Sequence, residues 1–143
     1  MAAPPAGEPS PEELSTPESA ARAWLARWCA FDHTEPFAAA EQRARPAMTD
    51  LGWRNFDPAG DERARHSWER TVAAKESGRC SAPQAQVPSG APASDNRRIV
   101  LVWADRVVTG TAGSPYVERI MQTRHVHRGA DGRWRVDIAT VGG

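Results

Sequence analysis

Six side chains of this 143-residue sequence are of the types that move protons and stand where a fold can gather them. Asp32 and His33 are adjacent after an aromatic-rich segment, Tyr116 opens an apolar run, His125 and His127 stand two apart, and Asp137 lies near the end. As i and i+2 of an extended strand, His125 and His127 share one face and can project into a cavity together. A carboxyl such as Asp32 or Asp137 becomes a general base near neutrality only when burial raises its pKa. Each group also has a plainer reading. Asp32-His33 can cap a helix beginning near Thr34, and Tyr116 can pack against helices. His125 and His127 can form a solvated pair between Arg124 and Arg128, and Asp137 can pair with Arg119 or Arg135 on neighbouring strands. The plainer readings are preferred, so no catalytic, cofactor-binding or metal-binding residue is expected.

Other chemistries lack their motifs. There is no nucleophile elbow and no phosphate loop; residues 110–114 hold two glycines but lead into a strand rather than a helix. Cys29 and Cys80 are far apart and belong to no Cys/His cluster with zinc spacing. They read either as two buried free thiols or as one disulfide worth about 4 kcal/mol in an oxidising compartment. Charge is balanced at 18 against 18, which removes the simple case for a nucleic-acid binder. The four Glu of residues 1–21 face no base there, so the remainder carries 18 positive against 14 negative charges. Hydrophobic residues at 40% and charged residues at 25% describe a soluble globular chain. No apolar run approaches the roughly 20 residues of a membrane span, and no signal peptide is visible.

The elements that must position these groups follow from periodicity. Residues 1–14, rich in Pro and Glu, read as a disordered tail or linker, and residues 15–143 as one domain. Ser15 with Glu18 resembles a capping box, and Trp24, Leu25, Trp28 and Phe31 recur at helical spacing, predicting a helix over 17–31. A second helix from Thr34 carries Phe37, Ala40 and Ala44 inward and stops at Pro46. Met48, Leu51 and Trp53 read as a turn folded back on the first helix. Asp61 caps a third helix to about Lys75, with Ala64, Trp68 and Val72 on one face. An edge strand is expected near 80–87, because Pro83 and Pro88 forbid a central one. Residues 98–109 form the central strand: Ile99, Leu101 and Trp103 point one way, Val100, Val102 and Ala104 the other, predicting cover on both sides at least in its first half. Strands over 116–128 and 133–141 close a meander. The class is α+β, and Trp24, Trp28, Trp103 and Trp134 are the expected core rings. The six tryptophans are expected to fill the interior and leave little pocket.

This order of elements resembles the nuclear-transport-factor-2-like (cystatin-like) superfamily. The carrying residues are the aromatic first helix, the strand over 98–109, and the ending Arg124-His125-Val126-His127-Arg128 … Asp131-Gly132-Arg133-Trp134-Arg135-Val136-Asp137. The resemblance implies a cone: a curved antiparallel sheet of about four strands on a long N-terminal helix, with two further helices. The finer likeness is to periplasmic-type domains of actinobacterial conjugative type IV secretion assembly factors and to Mce-associated proteins. It rests on the strand 98–102, the run Gly132-Arg133-Trp134-Arg135-Val136-Asp137 and the Gly142-Gly143 end. Those families carry a transmembrane helix before the domain, where this sequence has its Pro- and Glu-rich segment.

The resemblance implies a non-catalytic assembly or scaffold module of a conjugative DNA-transfer apparatus on the extracytoplasmic face of the membrane. Its partners would be other subunits of a membrane transfer complex and a second copy of itself, with no nucleic acid, small-molecule substrate or cofactor. Exposed edges bearing Arg119, Arg124, Arg128 and Arg135, with Met121 as an apolar contact, would make the assembly surface. Since the same fold hosts ketosteroid-isomerase-like enzymes, a small-molecule-binding or enzymatic role is the alternative.

Overall fold

The computed structural model describes residues 3–111 and 113–140. Its first helix, α1 (Pro17–Trp28), opens on a reciprocal cap: the Ser19 N–H donates to the Thr16 hydroxyl, and the Thr16 N–H donates to the Ser19 hydroxyl. The cap therefore sits one residue beyond the expected Ser15. The helix stops three residues short of the expected end, because Phe31 leaves it for a short strand, β1 (Phe31–Asp32).

The segment before α1 corrects the reading of residues 1–14 as a tail. Leu14 is only 1% exposed within the core, and its carbonyl accepts from the Trp134 N–H at 2.9 Å. Glu13 pairs at 3.1 Å with Arg27, itself buried, which also donates to the Gly7 and Ala23 carbonyls. One leucine and one ion pair thus strap the segment to α1.

Among the described residues four α-helices occur, where three were expected. Helix α2 (Ala39–Ala44) begins later than Thr34, since Asp32 closes a turn on Thr34 and Ala38 adopts a left-handed φ of 69°. A 3-10 turn, Arg45–Ala47, contains Pro46. Then α3 (Asp50–Phe56) is capped by Thr49 and α4 (Glu62–Ala73) by Asp61. Met48 and Trp53 are buried as expected, but Leu51 points outward at 46% exposure. The register of α3 is set by its packing on the last strand.

All strand pairings of the sheet are antiparallel. The expected edge strand is broken into β2 (Ser77–Cys80) and β3 (Gln84–Gln86), which lie end to end along one edge of β4 (Arg97–Thr109). The other edge of β4 pairs with β5 (Tyr116–Arg128), and β5 pairs with β6 (Trp134–Ala139). With β1 on β2 this makes six strands among the described residues, where about four were expected; Pro83 lies at the break, and β1 escapes sequence patterning because it is only two residues long. Gly132, at φ 79°, turns β5 into β6.

The sheet curls around α1, which touches β3, β4, β5 and β6. Val100, Val102 and Ala104 of β4 close on Trp24 and Leu25 together with Val126, Trp134 and Val136. Trp24 stacks on Trp28 at 5.2 Å, and Phe56 of α3 meets both rings edge-on. Of the four expected core rings, Trp24 and Trp134 are buried; Trp28 and Trp103 are only half-buried, and Trp53 is buried in addition. Cys29 and Cys80 are joined in a disulfide with their Cα atoms 6.3 Å apart, tying the end of α1 to β2.

Candidate functional site

Two surfaces carry what the fold does not use for packing. The first is the outer face of the sheet. Strand alternation sends Val100, Val102 and Ala104 to α1, so Ile99, Leu101, Trp103 and Val107 point away from it. Across β5 these oppose His125, Thr123, Met121 and Val117 respectively. The expectation of cover on both sides fails here, because α1 and α3 pack on the inner side. Met121 is 50% exposed and Val117 65%, while Ile99, Leu101 and Trp103 are half-buried. Trp103 and Met121 stand near the middle of two 13-residue strands.

The arginines expected to edge this surface are differently employed. Arg124 is buried on the inner face, against Trp24 and Phe56. Arg119 pairs with Asp105 at 3.1 Å and Arg135 with Asp131 at 3.0 Å, while Arg128 lies over the Trp134 ring. Arg119 and Arg135 are thus paired within the chain, and the face presents Ile99, Leu101, Trp103, Val107, Val117 and Met121 beside Thr123, His125 and His127.

The second surface is a cleft of about 400 Å³ at the open end of the sheet, between α4 and the inner side of β4 and β5. Its existence corrects the expectation that the tryptophans leave little pocket. Trp28, Phe31, Phe37 and Trp68 supply rings, and Tyr116 stands at its rim. Phe31 is admitted because its neighbour across β2 is Gly78: a Cβ there would lie 2.5 Å from the Phe31 ring. Arg106 stacks on Phe31 at 5.0 Å, binds Glu118 at 2.6 Å and donates to the Cys29 carbonyl at 2.9 Å. The Tyr116 hydroxyl reaches Glu76 at 3.5 Å; desolvation first, then the charges of Glu76 and Glu118, push its phenol pKa up. Helix α4 buries none of its residues fully, so Trp68 is half-buried and Val72 exposed beside the cleft.

The six acid–base candidates are not brought together. Asp32 accepts from the Thr34 N–H and hydroxyl, which hold its carboxyl below the usual range, and His33 stands 3.4 Å from Ser77. Tyr116 alone lines the cleft. His125 and His127 share a face as expected, but it is the outer one, and both rings are half-buried rather than freely solvated. Asp137 is buried beside α3, where it accepts from the Thr49 hydroxyl at 2.8 Å and pairs with Arg97 at 3.2 Å, not with Arg119 or Arg135. Among the described residues no cluster of three metal-ligating side chains occurs, and no helix is long and apolar enough to cross a membrane.

Sequence reasoning missed the cleft, since its walls come from α1, β1, α4, β4 and β5. It also missed the burial of Arg124, although Arg124 shares strand parity with the inward Val126 and that signal was readable. No protein-family profile, no curated protein and no solved structure matches the chain.

Proposed function

We propose that this chain is a nuclear-transport-factor-2-like cone serving as a non-catalytic assembly module of a conjugative, type IV secretion-like transfer apparatus. The sheet curled over α1 and the Asp131-Gly132 turn leading into the buried Trp134 support the fold assignment. The Cys29–Cys80 disulfide supports an extracytoplasmic location, because such bonds persist in oxidising compartments. The observation that carries the functional half is the uncovered sheet face centred on Trp103 and Met121. Strands β4 and β5 of 13 residues each, flanked by the shorter β2, β3 and β6, offer roughly 600 Å² at about 3.3 Å per residue and about 4.8 Å between strands, approaching the roughly 800 Å² that one partner contributes to a standard interface.

The occupant is a second copy of the chain. Because Arg119 and Asp105 lie side by side on the face, a two-fold arrangement can exchange these pairs instead of opposing like charges. Trp103 has the size and central placement of a hot-spot residue. The assembled pair is then the unit that other subunits of the transfer complex meet. The scattered acid–base groups give no support to the isomerase-like alternative.

A photo-crosslinking residue placed at Met121 in the cell of origin tests the reading. It should give adducts between two copies of the chain, together with subunits of a membrane transfer complex. A crosslinker at the same position that yields only monomer defeats it.

A further inference from the structure

We propose that the cleft between α4 and the open end of the sheet binds a small organic cation, a protonated or quaternary amine with an apolar body. This goes beyond the assembly reading and rests on a different surface.

The first argument is the wall. Trp28, Phe31, Phe37 and Trp68 reach the cleft from separate elements, with Phe31 and Trp68 edge-to-face at 6.4 Å. Ring faces carry negative electrostatic potential and attract cations within about 6 Å. The chain already uses that chemistry at both ends of the wall: Arg106 stacks on Phe31 at 5.0 Å and Arg65 on Phe37 at 4.4 Å.

The second argument is charge. Four carboxylates line the cleft, against one cation, Arg106. Glu118 is taken by Arg106 and Glu35 by Arg43. Glu41 and Glu76 have no ion-pair partner among the described residues. An anionic ligand would meet those two carboxylates and find Arg106 already neutralised, whereas a cation would find two charges to complete.

The third is the unfinished packing of α4. Trp68 is a large ring on a helix with no fully buried residue, and it faces a space of about 400 Å³. That volume lies in the range of small-ligand pockets. An apolar cation seated there would cover Trp68 and complete the attachment of α4.

The full chain labelled with 5-fluorotryptophan provides the test, with Trp68 assigned through Trp68→Phe. Benzyltrimethylammonium and choline should shift the Trp68 fluorine resonance saturably. The neutral isostere of choline, 3,3-dimethylbutan-1-ol, should bind about tenfold more weakly. The double variant Glu41→Gln/Glu76→Gln should lose about tenfold in affinity for the cations while the Trp24 and Trp134 resonances stay in place. N-acetyllysine amide separates two sources of the same chemistry: tighter binding than benzyltrimethylammonium would assign the cation to a peptide side chain, and weaker binding to a free amine. Equal binding of the neutral alcohol, no saturable shift with any cation, or unchanged affinity in the double variant would overturn the proposal.

Discussion

The guanidinium of Arg124 lies 5.0 Å from the centre of the Trp24 ring and 5.7 Å from that of Phe56, inside the curl of the sheet. Its Nη2 donates to the Asp137 carbonyl at 2.7 Å, while its Nε has no partner. Desolvation lowers its pKa to about 10, opposed by the charge of Asp137, so the group is still a cation at neutral pH. A buried cation beside two rings gains cation–π attraction and loses hydration, and the loss is a standing cost. Arg124→Met keeps an unbranched apolar stem against the rings and removes that cost, whereas Arg124→Ala also opens a cavity. The expectation is a loss of about 2–4 kcal/mol for Ala and about 1 kcal/mol or less for Met, read by chemical denaturation. A Met variant as unstable as the Ala variant would show that the charge itself holds Trp24 and Phe56 together.

The strap before α1 should be sensitive to acid. The hydrogen bond from Arg27 is the main reason the Glu13 carboxyl titrates below its ordinary 4.5, with burial acting in the opposite direction. A carboxyl lowered in the folded state contributes stability that is present above its unfolded pKa and is lost as pH falls through the folded value. Wild-type stability should therefore fall more steeply than that of Glu13→Gln between about pH 5 and pH 3. Parallel pH profiles for the two proteins would place Glu13 outside the fold's energetics.

The bond between Cys29 and Cys80 closes a loop spanning 51 residues of sequence. Such a closure restricts the unfolded chain by about 4 kcal/mol. Protein exported through an oxidising compartment should show no reactive thiol until it is denatured and reduced. Reduction should lower the denaturation free energy by roughly that amount. Two thiols titrating in the denatured, unreduced protein would contradict both the bond and the compartment it supports.

The legibility of this fold divides along physical lines. Local signals worked: Asp61 caps α4, and Gly132 turns the final hairpin. Alternation along β4 correctly separated Val100, Val102 and Ala104 from Ile99, Leu101 and Trp103. It could not say that only the first set would be covered, because that depends on where every helix packs. Leu14 stands alone in a Pro- and Glu-rich stretch, so composition hid its place in the core. Arg124 was misplaced because its charge outweighed the strand parity it shares with Val126. The cleft was invisible for a different reason. Phe31, Trp68, Glu76 and Tyr116 are scattered along the chain and become neighbours only through the pairing of β1 with β2 and β2 with β4.

The central claim, that the uncovered sheet face is an assembly surface, is tested most directly by sedimentation equilibrium. Met121 and Val117 are exposed, so Met121→Asp and Val117→Asp place a charge on the face without entering the core. The account predicts a species of twice the 15.6 kDa chain mass for the wild type at micromolar concentration, and a monomer with unchanged fold for each variant. A wild-type protein that stays monomeric up to about 100 µM, corresponding to a dimerisation free energy weaker than about −5.5 kcal/mol, would contradict it.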